Sequence, residues 1–190
     1  PGALWLTGGP GLGKGAALDA CRLEATLAGR PWVGASGGGA PGAAARAIVR
    51  QALGLAGIEA AGLVAAWLAG EVPAELLELD AAARAAALNA AAAAALVGAA
   101  RELGGLAIGL DDWHLADGAT QDAVKRFARE PGAAIGWAFA LDGAAPEGAQ
   151  AVALGPLAPS EVAALLATRL GGAAPDGLRD WLDGVAAGHP

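Results

Sequence analysis

The sequence predicts an open α/β fold: a mainly parallel sheet layered between helices, followed by a small helical subdomain. Three observations predict it. Short apolar runs alternate with helical stretches as far as about residue 155. A glycine-rich loop at 8–15 separates the first apolar run from the first helix. Beyond Pro156 only helical patterns remain. The 190 residues thus divide into an α/β domain over 1–155 and the start of a helical lid over 156–190.

Each element has its own signal. Residues 3–7 (ALWLT) form an apolar run that ends in glycines, as a buried parallel strand does. Lys14 to Ala28 reads as a helix with Leu18, Cys21 and Leu27 near one face, stopped by Gly29-Arg30-Pro31. Residues 31–35 suit a second strand, and 36–42 (SGGGAPG) a loop. Residues 43–103 predict helix after helix, punctuated at Gly54, Gly57, Gly70 and Pro73. Leu106–Leu110 is an apolar strand closed by two aspartates. A helix follows from Thr120, a good cap residue, to Glu130, where Pro131 stops it. Residues 133–141 and 151–154 suit strands. Two helices are expected at about 160–170, capped by Ser160, and 176–187.

Composition limits what the chain does. It has 56 alanines and 31 glycines, so 87 positions present almost no side chain. Leu, Ile, Val and Phe supply 22%, just above the level at which disorder is the default. At about 2 kcal/mol per buried large side chain, that core is thin but sufficient. A net charge of −7 with two lysines argues against a nucleic-acid binder, which needs a basic face. One cysteine, Cys21, excludes an internal disulfide or a multi-cysteine zinc site and is expected in the core. The two histidines, His114 and His189, make a weak metal pair. No secretory signal pattern is present. The longest uncharged run, between Arg84 and Arg101, is 16 residues of mostly alanine, which is short for a membrane span. A cytoplasmic protein with no membrane contact and no direct nucleic-acid contact is expected. The chain opens at Pro1 without Met and stops at Pro190, so a segment of a longer protein is expected.

The most informative stretch is Gly8-Gly9-Pro10-Gly11-Leu12-Gly13-Lys14-Gly15. It satisfies G-x-x-x-x-G-K after a strand and before a helix, the context that a phosphate loop requires. Glycines let successive backbone N–H groups curl around phosphate oxygens, and the helix N-terminus adds positive dipole. Lys14 then reaches the outer phosphates. One part is missing: the residue after the lysine should carry a hydroxyl for Mg²⁺, and Gly15 carries none. A rival fingerprint for dinucleotides, with Gly11, Gly13 and Ala16, needs an acid about 20 residues on. Residues 31–40 contain none. The expected cofactors are therefore ATP or ADP with Mg²⁺ at a weakened site, bound by residues 8–15 and Ala16.

A phosphate loop needs a second strand ending in carboxylate to hold Mg²⁺ and orient water. Leu106–Asp112 supplies one, with Asp111 at the metal and Asp112 as the catalytic candidate that polarises the attacking water. Guanine specificity is disfavoured, because its N-K-x-D motif needs Asn and the only one, Asn89, precedes Ala.

The wider string Asp111-Asp112-Trp113-His114-Leu115-Ala116-Asp117 resembles the DDxHxAD segment of STAND-type P-loop ATPases, AAA-related modules of large bacterial transcriptional and signalling regulators. LWLTGGPGLGKG resembles their first strand and loop. Leu154-Gly155-Pro156-Leu157 with SEVAALLATRLG resembles their entry into the helical lid, and Gly188-His189-Pro190 their G-x-P motif. The resemblance implies a P-loop NTPase fold of three α/β/α layers with a lid, and a switch driven by ATP and ADP with slow hydrolysis. It places Pro190 near the adenine. It also implies fused effector and sensor domains, and nucleotide-dependent self-association. Two departures stand out. Gly15 replaces the hydroxyl, and the strand at 133–141 runs into Asp142 where a polar γ-phosphate sensor is expected. Asp142 would repel phosphate if it faced the site. Arg126, Arg129 and Arg169 are expected on helix surfaces rather than as an arginine finger, and His114 as a packing or hydrogen-bonding residue.

Overall fold

Alternation of strand and helix is borne out. The computed structural model describes residues 2–132, 134–173, 175, 177, 178 and 181. The strands are β1 (Ala3–Thr7), β2 (Trp32–Ser36), β3 (Leu106–Asp111), β4 (Ile135–Leu141) and β5 (Gln150–Ala153). The helices are α1 (Lys14–Leu27), α2 (Ala43–Ala56), α3 (Gly62–Ala69), α4 (Ala81–Glu102), α5 (Gly118–Arg129) and α6 (Pro159–Leu170), with 3₁₀ turns at Ala74–Leu76 and Trp113–Leu115. The sheet is all parallel, in the order β2-β3-β4-β1-β5.

Parallel crossovers are right-handed. The β1-to-β2 connection runs one way along the sheet and the later ones run the other, so helices pack on both faces. The register puts Val33, Ile108, Leu110, Trp137 and Phe139 on one face, in a core shared with α2, α4 and α5. The other face carries Gly34, Ala107, Gly109, Gly136, Ala138 and Ala140, and α1 packs there on β1, β3 and β4. Gly109 is required: a Cβ there would lie 2.1 Å from the Trp32 ring. β2 is an edge strand. The Gln51 amide of α2 occupies its free side, donating to the Gly34 carbonyl at 2.8 Å and accepting from the Gly34 N–H at 3.3 Å.

Several expectations need correction. Helix α5 begins at Gly118, because Asp117 rather than Thr120 is the cap; its carboxylate accepts from the Thr120 N–H at 3.0 Å. Helix α6 begins at Pro159, with Ala158 as its cap instead of Ser160. Glu161 closes that turn by accepting from the Ala158 N–H at 2.6 Å. On α1, Leu27 is 73% exposed and Cys21 only half-buried, so the expected apolar face is largely open. Burial raises the Cys21 thiol pKa, against a smaller lowering by a backbone hydrogen bond. Helix α4 has 22 residues, longer than the uncharged run inside it, and is the one helix among the described residues long and apolar enough to cross a membrane. It packs on α2, α3 and α5 and buries Leu88, Ala92, Ala93, Leu96, Val97, Ala99 and Ala100. The helix expected at 176–187 falls mainly outside the described residues, as does the Gly188-His189-Pro190 motif with the adenine role expected of Pro190.

Candidate functional site

The order of the strands locates the site before any side chain does. In open parallel sheets, ligands bind beyond the carboxyl ends of the strands where the connections reverse direction. Here that reversal flanks β1, and the loop 8–13 leaves its carboxyl end to enter α1. A cavity of about 400 Å³ opens there. It is lined by Pro10, Gly11, Gly13, Lys14 and Gly15, with three carboxylates, Asp111, Asp112 and Asp142, from the ends of β3 and β4.

Glycine is needed in this loop for two separate reasons. Gly11 and Gly13 have φ of 76° and 82°, the left-handed region that side chains avoid. A Cβ on Gly8 would lie 2.7 Å from the Leu154 carbonyl oxygen. Leu154 is tied there by its N–H, which donates to the Thr7 carbonyl at 2.7 Å. The loop is thus clamped between β1 and the residue that follows β5.

Lys14 is 8% exposed, the one buried charge among the described residues. Its ammonium donates to the Gly8 carbonyl at 3.0 Å and the Gly9 carbonyl at 2.7 Å. It also pairs with the Asp142 carboxylate. That hydrogen bond, with the Lys14 charge, outweighs desolvation and holds Asp142 below the ordinary carboxylate pKa. Asp142 therefore does face the site. Its own N–H donates to His114 Nδ1 at 3.2 Å, and its second oxygen lies 3.7 Å from His114 Nε2. An accepting Nδ1 places the ring proton on Nε2, towards that oxygen.

Asp111 and Gly15 meet. A Cβ built on Gly15 would lie 3.9 Å from Asp111 Oδ2. The position after the lysine therefore looks at the carboxylate expected at the metal, which is the juxtaposition a shared Mg²⁺ requires. Asp111 Oδ1 accepts the Asp112 N–H at 2.9 Å. Asp112 has φ of 47°, the sole non-glycine residue with positive φ among those described, in a region that Asp tolerates better than most. Its carboxylate lies 3.4 Å from the Ser36 hydroxyl.

The turn after Asp112 is anchored from below and from the side. Trp113 meets Trp5 and Phe139 edge-on, with ring centroids 6.3 and 5.0 Å apart, while Trp5 and Phe139 stack at 4.3 Å. Gly37 lets the loop after β2 press against this turn; a Cβ there would lie 2.3 Å from the Asp112 carbonyl oxygen. Asp117 then caps α5 and also accepts the Gly42 N–H at the start of α2, at 3.1 Å. Burial works to raise its pKa. Hydrogen bonds from the Thr120 hydroxyl and N–H, and from the Gly42 and Ala119 N–H groups, hold it low instead.

The structure thus gathers Pro10, Gly11, Gly13, Lys14, Gly15, Asp111 and Asp112 round one cavity, and ties Gly8 and Gly9 to Lys14. Leu12 closes the loop as a turn, its N–H donating to the Gly9 carbonyl at 3.4 Å. Ala16 is exposed on the first turn of α1 and does not line the cavity. The arginines Arg126, Arg129 and Arg169 are exposed on their helices, and Arg126 pairs with Glu130 at 2.7 Å. Ser36, Gly37 and Asp117 were missed; the Ser-Gly-Gly-Gly run and the acid ending the DDxHxAD string were the available signals. A second cavity of about 440 Å³ lies between α2, α3, α4 and α5 and shares no lining residue with the first. Two hydrogen bonds border it: Trp67 Nε1 donates to Asn89 at 2.9 Å and Arg46 to the Pro41 carbonyl at 2.6 Å.

No family model matches the chain, and a search of curated proteins finds no match.

Proposed function

We propose that this chain is a nucleotide-binding switch module of the STAND type, in which residues 8–15 hold the phosphates of ATP or ADP. The observation that carries the reading is the buried Lys14 at the start of α1, beneath a left-handed glycine loop and beside the Asp111 carboxylate. Buried lysines are rare without a charged partner or ligand. The all-parallel sheet, with this loop at the carboxyl end of β1, supports a P-loop NTPase fold, and α6 is the beginning of its lid.

Mg²⁺ is bound through one or two carboxylates plus substrate phosphates, and Asp111 beside position 15 fits that pattern. No group of three His, Cys, Asp or Glu side chains poised for a metal occurs among the described residues, so Asp111 would need nucleotide oxygens and water to complete the shell. When bound, Mg²⁺ neutralises charge on the phosphates. Asp112 orients water from a turn fixed by Trp113 and Gly37. Without a hydroxyl at Gly15, hydrolysis is slow, and the bound state rather than turnover carries the signal to fused effector and sensor domains and to nucleotide-dependent self-association in the cytoplasm. A second reading is a catalytically inactive nucleotide-binding or structural scaffold; it is favoured by the absent hydroxyl and by Asp142 against Lys14.

Calorimetric titration of ATP, ADP and GTP, with and without Mg²⁺, tests the proposal. ATP and ADP should bind, GTP more weakly, and Lys14→Ala should weaken ATP by about 1.5–3 kcal/mol. Affinity indifferent to Lys14→Ala would remove the phosphate site. Binding without any Mg-dependent turnover would leave the scaffold reading.

A further inference from the structure

The Lys14 ammonium has three N–H donors and no more. All three are used: one on the Gly8 carbonyl at 3.0 Å, one on the Gly9 carbonyl at 2.7 Å, one on the Asp142 carboxylate. A phosphate oxygen cannot bond this nitrogen until one of these partners leaves. The two carbonyls belong to a loop clamped against Leu154 and Thr7, so they stay. The Asp142 backbone also stays, since it follows Leu141 in register with Thr7 and donates to His114. Only the Asp142 side chain, 35% exposed at the cavity, is free to rotate towards water.

We propose that Asp142 is an internal competitor for the phosphate seat on Lys14, a specificity residue that a polyphosphate must displace before it binds. This rests on the phosphate-site reading above. It explains how a lysine is kept buried and neutralised without ligand: the carboxylate stands where an outer phosphate oxygen would stand. It also sets a preference. An anion must bring enough charge to outcompete a carboxylate already in place, and it then shares the cavity with Asp111, Asp112 and the displaced Asp142. Metal-free triphosphate suffers most from that crowding of negative charge. Mg²⁺-loaded nucleotide suffers least, because the cation offsets it.

The test compares wild type with Asp142→Ala and the near-isosteric Asp142→Asn, using tripolyphosphate, ADP and ATP without Mg²⁺ as probes. Removing a charge-assisted competitor should tighten tripolyphosphate and ATP by about ten- to hundredfold in Asp142→Ala, with a smaller gain for ADP. Asp142→Asn should move in the same direction by less, because an amide still accepts from lysine. In the wild type, the Asp142 carboxyl resonance should titrate at higher pH once tripolyphosphate is bound, since the displaced carboxylate no longer accepts from Lys14. Unchanged or weaker binding in both variants, with Lys14→Ala still weakening binding, would overturn the competitor role and leave the phosphate site standing. Absence of binding to wild type and to both variants would overturn both.

Discussion

The two faces of the sheet are built on different principles. The face under α2, α4 and α5 is filled by large side chains: Val33, Ile48, Leu96, Leu106, Ile108, Leu110 and Phe127 are all at most 2% exposed. The face under α1 is lined mostly by small residues, Gly34, Gly109, Gly136, Ala107, Ala138 and Ala140, with Leu4, Leu6 and Trp32 the large side chains among them. On α1 itself Lys14 is the one buried residue. The first face supplies apolar burial and hence stability. The second has given up side-chain volume, which lets α1 lie on the sheet and present its N-terminus and Lys14 at the strand ends. In a chain that is nearly half alanine and glycine, stability and binding are separated by face.

The sharpest way to break this contrast is to remove volume from the packed face. Phe127 is 2% exposed and meets Trp67 edge-on at a centroid distance of 6.1 Å. Phe127→Ala should cost about 3–5 kcal/mol in urea unfolding, by lost transfer energy and the cavity left behind. A loss under about 1 kcal/mol would mean that the alanine-rich helices collapse into the space and that the core is not fixed.

A substitution on the small-residue face should act on ligand rather than on stability. Gly15 lies in the first turn of α1, and a Cβ there makes only an ordinary contact with Asp111. Gly15→Ser adds the absent hydroxyl beside that carboxylate. Mg²⁺-dependent ATP affinity should rise by about 1–3 kcal/mol, by analogy with charge-assisted hydrogen bonds. Metal-free ADP affinity should hardly change. Equal gains with and without Mg²⁺ in calorimetry would mean that the hydroxyl meets phosphate rather than metal.

How much of this was readable in the sequence follows from the range of the forces involved. Local signals were legible: the loop 8–15, the apolar run ending in Asp111 and Asp112, and the strand–helix alternation. Caps were misjudged where two residues competed. Asp117 outcompetes Thr120 because its carboxylate also reaches Gly42, a partner far away in sequence. The openness of α1 was not legible either, because its outer face, with Leu23 and Leu27, is apolar without a neighbour to cover it among the described residues. The placement of Asp142 was posed but not answered: only the insertion of β4 between β3 and β1 brings it onto Lys14.

Asp117 ties two helices of the packed face, α2 and α5, together beside the site, and its carboxyl sets a pH dependence. The folded pKa is below the ordinary value of about 4, so the carboxylate contributes its full stability above that value. The contribution is lost as pH falls through the folded pKa. Asp117→Ala, removing the cap of α5 and the tie to α2, should cost about 1 kcal/mol at neutral pH. The difference from wild type should shrink towards zero on acidification. A difference that persists with the carboxyl protonated would assign the cost to lost shape rather than to the charged cap.

The smallest effect is expected where α1 is most open. Leu27 is 73% exposed and Leu23 58%, both large apolar side chains on the side of α1 turned away from the sheet, opposite the half-buried Leu18, Cys21 and Ala25. A residue that stays wet when folded gains almost no transfer energy on folding, so its truncation removes almost none. Leu27→Ala should therefore change unfolding free energy by no more than about 0.5 kcal/mol, against several for Phe127→Ala on the other face. Alanine is also the better helix former, which offsets part of any loss near the C-terminus of α1. The two substitutions remove apolar side chains from a buried helix face and from a solvent-facing one, so their ratio measures how much of α1 is left uncovered. A cost for Leu27→Ala approaching 2 kcal/mol, read in the same urea titration, would require that something covers α1 in solution. The two faces would then differ in what covers them rather than in how they are built.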